Sequence, residues 1–355
     1  MINKVVFITG GTRGIGRQIA LIFAKAGYQL ALNYHHNQKI AQEFQQELMT
    51  SFSTTVRLYP GDIGREEEVV NMTEKIYQDF GQLDILILNA GPFIHEEIKL
   101  KDCTTDQWLH MMNTNLNSFF YLMKAILPHM ERQNWGRIVT LGYDQIERVT
   151  GWPQRGAYSA AKTGVAAAVR TLAVEEKEFN ITVNMVCPGD IKAQWKEASI
   201  EEAEKEQLSE QAKKEKFIEG TRKEKFLEEV KKEKAPEEAE QEKSVEKTEK
   251  LNKVKRTDTI SSAFENANSK RKATGEDVAQ TIYFLCQDSA EYLTGNILNL
   301  AGGENIIARK MTEKEMIQTF IDKWQKRYPR MTHSLQETEN LLTFTQFPKG
   351  FCCEV

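Results

Sequence analysis

The sequence predicts an α/β protein that is built on a doubly wound parallel sheet. Short, β-branched apolar runs alternate with amphipathic segments of helical periodicity through the first 190 residues. The first of these runs, Val5–Thr9, ends in a glycine-rich turn that leads directly into a helical pattern. Strands that alternate with helices at this spacing require right-handed crossovers, and such crossovers place the strands in parallel.

The first half of the domain contains four predicted strands and three predicted helices. In the first helix, Ile15, Ile19 and Phe23 fall on one apolar face. Gly27 follows this helix and is typical of a C-terminal cap. The predicted strands are Val5–Thr9, Leu30–Asn33, Val56–Tyr59 and Asp84–Leu88, and the predicted helices are Gly14–Ala26, Gln38–Met49 and Glu66–Phe80.

The same alternation continues and ends with a seventh strand. The later segments are the helices Asp106–Arg132, Ala157–Phe179 and Val278–Cys286, the strands Arg137–Leu141 and Ile181–Val186, and a strand with a turn within Tyr292–Gly303. Together these elements predict a single Rossmann-type domain, formed by residues 1–190 and 270–303.

A highly charged insertion separates the sixth strand from the last helix. Between Lys196 and Arg256 there are 18 Glu and 17 Lys or Arg among 61 residues. Such a composition cannot bury enough apolar surface to form its own core, although Glu–Lys pairs four residues apart support exposed helices. We therefore predict that residues 191–269 form an insertion that is partly helical or mobile. A helix that binds a specific partner is the alternative.

Residues 304–355 form a predicted C-terminal extension. Within it, Thr312 and Glu315 resemble a capping box that opens a helix. The sequence gives no indication of what this extension does.

Composition and charge narrow the classes of partner. The formal net charge is −4, which gives no reason to expect nucleic acid or an anionic membrane. The first apolar run is too short for a signal peptide or a membrane span, so we expect a cytosolic protein. The five cysteines lack metal-ligand spacing, and we expect reduced thiols and no metal site.

A glycine-rich turn predicts a phosphate site at the start of the domain. It follows the first strand and has Gly10, Gly14 and Gly16 in a G-x-x-x-G-x-G spacing. A diphosphate needs missing side chains, free backbone N–H groups and the positive end of a helix dipole, and this turn provides all three. A tight turn without a ligand is the alternative.

The end of the second strand favours NADP(H) over NAD(H). NAD-selective sheets usually have a carboxylate there, whereas this chain has Asn33, His35 and His36. Arg13 in the glycine loop can pair with a 2′-phosphate through its planar guanidinium. His35 is a second candidate for that role, the alternative being that both histidines are simply surface residues.

A tyrosine and a lysine four residues apart predict the catalytic pair. Tyr158 and Lys162 fall on one face of a helix and can converge on one ligand. A phenol titrates near a pKa of about 10, and a nearby ammonium together with a positively charged nicotinamide stabilises the phenolate and lowers that pKa. Tyr158 can then donate a proton to a carbonyl oxygen as hydride arrives, or accept one in reverse. An isolated pair would indicate only a solvated helix face.

In their order along the chain, these motifs resemble the short-chain dehydrogenase/reductase superfamily, and in particular its 3-oxoacyl-carrier-protein reductases. The resemblance covers residues 1–190 and 270–303. The matching residues are Thr9–Gly16, Asp62, Asn89-Ala90-Gly91, Asn115, Tyr158-x-x-x-Lys162, Pro188-Gly189, and Thr294-Gly295 with Gly302-Gly303.

The resemblance implies the remaining cofactor contacts. Asp62 holds the adenine, Asn89–Gly91 lines the cofactor, and Pro188-Gly189 flanks the nicotinamide. Lys162 holds the nicotinamide ribose, and the insertion lies where the family has its substrate lid. Asn115 supports a water chain from that lysine to solvent, the alternative being that a mid-helix asparagine indicates a bend or a satisfied core amide. The expected cofactor-binding residues are Gly10, Thr12, Arg13, Gly14, Ile15, Gly16, Asn33, His35, Asp62, Ile63, Asn89, Ala90, Gly91, Tyr158, Lys162, Pro188 and Gly189.

The chain departs from the family at the catalytic serine. Counting along the fifth strand places Tyr143 at that position, and counting back from Tyr158 places Gln145 there. No serine lies between Leu141 and Tyr158. Pteridine reductases of the same superfamily use an aspartate there, so Asp144 is our candidate for the substrate-orienting residue, with Tyr143 and Gln145 as alternatives. A missing hydrogen-bond donor in such a site raises the barrier by a few kcal/mol.

The sequence therefore predicts an NADP(H)-dependent carbonyl reductase or alcohol dehydrogenase that acts on a small molecule. A pteridine-type reductase and a non-catalytic NADP(H)-binding regulatory protein are the alternatives. In the family, subunits pair through the helices that correspond to Asp106–Arg132 and Ala157–Phe179, which implies a homodimer or homotetramer. The predicted catalytic residues are Tyr158, Lys162, Asn115 and Asp144.

Overall fold

A computed structural model describes residues 4–92, 97–149, 151–209 and 271–302. The capping box at Thr312 and most of the charged insertion lie outside these described residues.

The strands form a single parallel sheet. They are β1 Val5–Ile8, β2 Gln29–Tyr34, β3 Val56–Pro60, β4 Ile85–Leu88, β5 Gly136–Leu141, β6 Ile181–Pro188 and β7 Ile297–Leu300. Their order in the sheet is β3-β2-β1-β4-β5-β6-β7, which confirms the predicted doubly wound fold. The order reverses between β1 and β4, so a crevice opens beyond the carboxyl ends of these two strands.

The central strands of the sheet are buried on both faces. Val6 of β1 pairs in parallel register with Leu30 of β2 and with Ile85 of β4. Successive side chains of β1 point to opposite faces, and Phe7 enters one apolar core while Ile8 enters the other. A strand that is covered on both sides has no polar face, and this explains its continuous apolar sequence.

Helices cover the two faces of the sheet. They are α1 Gly14–Lys25, α2 Gln38–Phe52, α3 Glu66–Phe80, α4 Thr105–Met112, α5 Ser118–Gln133, α6 Gly156–Glu175, α7 at residues 200–209, and α8 Gly275–Leu285. Side chains of α3, α5 and α6 form one core, and those of α1, α2 and α8 form the other. No helix in the described parts of the chain is both long and apolar enough to cross a membrane.

A π-helical turn, Asn113–Asn117, divides the long helix that the sequence predicts over Asp106–Arg132. At this turn the Thr114 hydroxyl donates to the carbonyl of His110, and the Asn115 amide donates to the carbonyl of Met111 at 3.1 Å. Such side chains compete with the helical backbone hydrogen bonds and locally widen the helix. Hydrophobic periodicity does not report this competition, so the prediction missed the turn.

The two ends of the charged stretch meet beside α8. Trp195 is buried in the core that α1 and α8 form. Lys272 Nζ lies 3.5 Å from Glu206 Oε1, and Arg271 Nε lies 3.9 Å from Glu204 Oε1. The chain therefore leaves and re-enters the described fold at nearly one place. The boundary of the insertion at residue 191 stays a prediction.

Candidate active site

The predicted site residues lie at the carboxyl end of the sheet. The glycine loop follows β1, Asn89–Gly91 follows β4, and the loop that contains Asp144 follows β5. Ala90 N donates to Thr9 Oγ1 at 3.0 Å, which joins the first two of these segments. Pro188 ends β6, and Gly189 N donates to the carbonyl of Leu300 at 3.0 Å.

The glycine loop is held in place by the segment that follows β4. Asn89 Nδ2 donates to the carbonyl of Thr9 at 3.1 Å and to that of Gly10 at 3.0 Å. A Cβ at Gly16 would lie 2.2 Å from the Gly10 carbonyl oxygen, so only glycine allows the start of α1 to approach the loop this closely. This arrangement fits a diphosphate at the N-terminus of α1.

Asn33 has a structural role that the sequence did not reveal. Its Oδ1 accepts from Gly10 N at 3.2 Å, and its Nδ2 donates to the carbonyls of Tyr59 at 3.2 Å and Gly61 at 3.0 Å. Asn33 is 3% exposed. Its amide therefore joins the ends of β2 and β3 to the glycine loop. None of these hydrogen bonds tests the predicted contact of Asn33 with the cofactor.

Polar side chains stand at the corner where β2 ends and α1 begins. Arg13, His35 and His36 are all exposed, and the two imidazole rings stack with their centroids 3.6 Å apart. Thr12 is buried and Ile15 is half-buried. The corner thus presents one guanidinium and two imidazoles to solvent.

The turn after β3 positions Asp62. Asp62 Oδ1 accepts from Gly64 N at 2.9 Å, and Asp62 N donates to Glu68 Oε2 at 2.8 Å. Ile63 is buried in the core that α3 and α5 share. The local bonds fix the turn beside the predicted adenine position.

A carboxylate that the sequence did not single out contacts the N-terminus of α1. Glu197 Oε1 accepts from Gly14 N at 2.6 Å. The backbone carbonyl of the same residue accepts a very short hydrogen bond from the Gln18 amide. Glu197 and Gly14 are separated by 183 positions, and no local sequence signal predicts a contact over that distance.

Tyr158 and Lys162 lie together on α6, as their spacing predicts. Lys162 Nζ lies 6.0 Å from the centroid of the Tyr158 ring and donates to the carbonyl of Leu141 at 2.9 Å. Burial lowers the pKa of Lys162 to about 8, while the neighbouring Cys187 opposes that shift. Burial, with smaller contributions from Cys187 and Tyr143, raises the pKa of Tyr158 above its ordinary value. The phenol therefore needs added positive charge before it ionises.

The π turn brings Asn115 to the same place. A Cβ at Gly91 would lie 2.6 Å from Asn115 Oδ1 and 3.1 Å from Lys162 Nζ. Both polar groups therefore face the backbone of Gly91, and only glycine leaves room for them. Asn115 Nδ2 donates to the carbonyl of Pro92 at 3.2 Å, whereas its buried Oδ1 has no hydrogen-bond partner among the described residues.

Tyr143 packs beside Tyr158. Its hydroxyl lies 3.0 Å from Ser159 Oγ and 3.1 Å from Thr163 Oγ1. Its ring centroid lies 5.2 Å from that of Trp152 and 6.1 Å from that of Tyr158. The hydroxyl already has two partners on α6, so Tyr143 fits a supporting role better than a substrate contact.

Asp144 lies among charged groups that surround a buried thiol. Asp144 is 2% exposed, and Gln145 Nε2 donates to its Oδ2 at 3.4 Å. The pKa of Cys187 is raised to about 12, mainly by burial and also by the charges of Glu147 and Asp144, while Lys162 opposes the shift. Asp144 and Lys162 are therefore close enough to act on the same thiol.

Asn299 of β7 holds the loop that contains Asp144. Its Oδ1 accepts from Gln145 N at 2.9 Å, and its Nδ2 donates to Glu147 Oε1 at 2.8 Å. Gln145 and Val149 both have left-handed backbone angles, with φ of 58° and 51°, which non-glycine residues rarely adopt. The sequence prediction missed Asn299, because more than 150 positions separate it from its partners.

An apolar cleft opens beside Tyr158. Ile98, Leu100 and Met111 form one wall, and Ala157 and Tyr158 contribute from α6. The cleft joins the predicted proton donor to side chains that can contact the carbon skeleton of a substrate.

The chain matches one family of known proteins. The model of the short chain dehydrogenase family matches residues 4–204. A Bacillus subtilis protein, YtkK, whose name gives only the general description of an oxidoreductase, is 33% identical over 305 residues. That match covers 86% of this chain and 98% of YtkK.

Two further proteins are similar over most of the chain. The 3-oxoacyl-[acyl-carrier-protein] reductase FabG of Staphylococcus epidermidis is 28% identical over 305 residues, which covers 85% of this chain and 98% of that protein. A solved structure from Bacillus thuringiensis, described as a 3-oxoacyl reductase, is 29% identical and has a TM-score of 0.65. It covers 86% of this chain and 99% of that chain.

Proposed function

The chain belongs to the short-chain dehydrogenase family, and from that premise we propose that it is an NADP(H)-dependent reductase of a small carbonyl compound, or the corresponding alcohol dehydrogenase. Members of this family are oxidoreductases that bind a nicotinamide cofactor, which supplies or accepts the hydride when it is bound. The observation that supports the proposal most is that Lys162 and Asn115 converge on the backbone of Gly91, with Lys162 Nζ 6.0 Å from the centroid of the Tyr158 ring.

In this proposal Tyr158 is the proton donor. Its burial favours the neutral phenol, which is the form that can donate a proton to a carbonyl oxygen. Lys162 retains its positive charge near neutral pH, because its lowered pKa is still about 8. That charge stabilises the phenolate left after proton transfer. The unpartnered Oδ1 of Asn115 accepts a hydrogen bond from a water that returns a proton to the site.

Asp144 is the proposed substrate-orienting residue. Tyr143 already has hydroxyl partners on α6, and the side chain of Gln145 is bonded to Asp144 and Arg148. Asp144 remains as a fully buried polar side chain of this loop, and its charge, like that of Lys162, acts on the Cys187 thiol. The same residue favours a pteridine-type reductase as the second candidate function, because a carboxylate can hydrogen-bond the N–H groups of a pterin ring.

The corner at the end of β2 supports NADP(H). Asn33 occupies the position where NAD-selective sheets have a carboxylate, and its amide is used to hold the glycine loop. Arg13 is exposed beside it and His35 completes the corner. We expect Arg13→Ala to raise the KM for NADPH by about tenfold, the loss of roughly one charge-assisted contact, while the KM for NADH stays unchanged. Equal effects on both cofactors would contradict the preference.

The proposed activity is tested by NADPH oxidation against keto esters, ketones and pterins. The matched variant is Tyr158→Phe, which removes the hydroxyl and retains the ring that packs against Tyr143. We expect turnover of at least one compound, a loss of at least a hundredfold in kcat for the variant, and equal Kd values for NADPH. Tight cofactor binding without any turnover would instead support a regulatory protein. Full activity in Tyr158→Phe would refute the assigned role.

We also propose a homodimer or homotetramer. Leu109 of α4, Phe120 of α5 and Val174 of α6 are 47%, 60% and 65% exposed. These apolar side chains lie on the helices through which family members pair, and their burial would remove them from water. Sedimentation equilibrium tests the assembly, and a monomer at micromolar concentration would contradict it.

A further inference from the structure

Glu197 holds a position that a bound diphosphate needs. The first N–H groups of a helix have no acceptor within the helix and lie at the positive end of its dipole, so the N-terminus of α1 favours anionic acceptors. In this protein a carboxylate oxygen of Glu197 accepts from Gly14 N at 2.6 Å. A carboxylate and a phosphate oxygen have the same charge sign and accept the same hydrogen bond, so the two cannot occupy this N–H together.

The backbone that bears Glu197 is fixed to the domain. The Glu197 carbonyl accepts from the Gln18 amide of α1, and Trp195 is 5% exposed in the core beside α1 and α8. A Cβ at Gly275 would lie 1.9 Å from the carbonyl oxygen of Lys196, so this segment packs directly on the first turn of α8. The contact between Glu197 and Gly14 therefore belongs to the fold of the segment. The side chain of Glu197 itself is exposed and can rotate away without unfolding it.

We propose that Glu197 is a built-in competitor of the cofactor, which occupies the diphosphate position of the glycine loop and must rotate away before NADP(H) or NAD(H) binds. The proposal rests on cofactor binding at the glycine loop, as proposed above. When only a fraction of molecules can bind, the apparent Kd equals the intrinsic Kd divided by that fraction. Removal of the competitor therefore tightens cofactor binding without any new contact.

The test compares three variants in the full chain. Glu197→Gln removes the charge and keeps the length of the side chain. Glu197→Asp keeps the charge and shortens the side chain by one methylene. Glu201→Gln is the matched control, because Glu201 lies on the same segment and pairs with Lys205 instead of the glycine loop.

The readout is the Kd for NADPH and for NADH, measured by nucleotide fluorescence. We expect Glu197→Gln and Glu197→Asp to lower both Kd values by about three- to tenfold, and Glu201→Gln to leave both unchanged. The effect should be equal for the two cofactors, because both have the diphosphate. A lower Kd in Glu197→Gln but not in Glu197→Asp would show a general charge effect and overturn the proposal, as would unchanged Kd values in both.

A second readout uses the protein without cofactor. Amide hydrogen exchange at Gly14 should be faster in Glu197→Asp, because the shorter side chain no longer reaches the amide, and faster to a smaller extent in Glu197→Gln, because its neutral oxygen accepts a weaker hydrogen bond. Unchanged exchange would overturn the proposed contact. If the wild-type chain and every variant fail to bind either cofactor, the proposed function fails, whereas normal binding with equal Kd values refutes only the role of Glu197.

Discussion

We predict that the buried positive charge of Lys162 lowers the free energy of unfolding of the protein. Burial lowers its pKa from 10.5 to about 8, so at pH 7 the folded protein holds a desolvated ammonium. One pKa unit corresponds to about 1.4 kcal/mol, and a lowering of roughly two and a half units therefore amounts to about 3 kcal/mol at pH 7. The fold tolerates this cost, and we attribute that to the use of the charge at the active site.

The perturbation is Lys162→Met, which keeps an apolar stem and removes the ammonium. The variant also loses the hydrogen bond to the Leu141 carbonyl, and an unsatisfied buried carbonyl costs about 1–2 kcal/mol. The net expectation is a gain of about 1–2 kcal/mol in the free energy of unfolding at pH 7, together with loss of activity.

The pH dependence of the free energy of unfolding distinguishes the removal of the buried charge from a change in side-chain packing. The folded pKa lies below the unfolded pKa, so between about pH 8 and pH 10.5 the unfolded chain binds more protons than the folded protein. The free energy of unfolding of the wild type therefore increases as pH rises through that window, because the destabilising charge on Lys162 is lost. The variant lacks the group, so its advantage should shrink by about 2 kcal/mol between pH 7 and pH 9.5.

The assay is urea denaturation followed by tryptophan fluorescence at both pH values. Lys177→Met is the control, because Lys177 is an exposed lysine that follows α6, and its replacement should change stability by less than about 0.5 kcal/mol. A Lys162→Met protein that is less stable than the wild type at pH 7 would refute the reasoning. So would an equal difference in stability at the two pH values.

Three further predictions concern the loop after β5. Asp144→Ala should lower kcat/KM by about a hundredfold without changing the Kd for NADPH. Steady-state kinetics measures this effect, with Asp144→Ser as the rescue variant. An unchanged kcat/KM would exclude a contact between Asp144 and the substrate. Asn299→Ala should lower the free energy of unfolding by about 1 kcal/mol, because its hydrogen bonds to Gln145 and Glu147 are lost. It should also raise the KM for substrate. A change in the Kd for cofactor with an unchanged KM for substrate would contradict a role in holding this loop. Val149→Gly should raise the melting temperature, because Val149 has φ of 51° and is 68% exposed, and relief of that strain yields about 1 kcal/mol; a lower melting temperature would mean that the contacts of this side chain outweigh its strain.

The centre of the sheet was predictable because β1, β4 and β5 are buried on both faces. The predicted strand Val56–Tyr59 ends one residue short of the observed Val56–Pro60. The bounds predicted for the other strands from β1 to β6 agree with the structure to within two residues at each end, the largest difference being Ile181–Val186 against the observed Ile181–Pro188. Continuous apolar runs and the glycines after them determine such segments locally. The π turn around Asn115 depends on side chains that compete with the helix backbone, and no periodicity shows that.

The same distinction between local geometry and long-range contacts determines which parts of the active site could be predicted. Tyr158 and Lys162 lie four residues apart on one helix, so local geometry places them together. Glu197 reaches Gly14, and Asn299 reaches Gln145, only after the sheet has assembled. Tyr143 aligns with a family serine, yet only the structure shows its hydroxyl bound to Ser159 and Thr163. The catalytic roles themselves stay predictions until they are measured.

The ion pairs of Glu204 with Arg271 and of Glu206 with Lys272 have a consequence for the evolution of the chain. They place the chain just before residue 210 beside the chain just after residue 270, so the sheet domain is attached to the intervening sequence at nearly one point. The entropy of loop closure grows only with the logarithm of length, and each doubling adds about 0.6 kcal/mol. Insertions or deletions between the two ion pairs therefore change the stability of the sheet domain very little. This part of the chain is free to diverge in length and sequence while the glycine loop and Tyr158 stay in place.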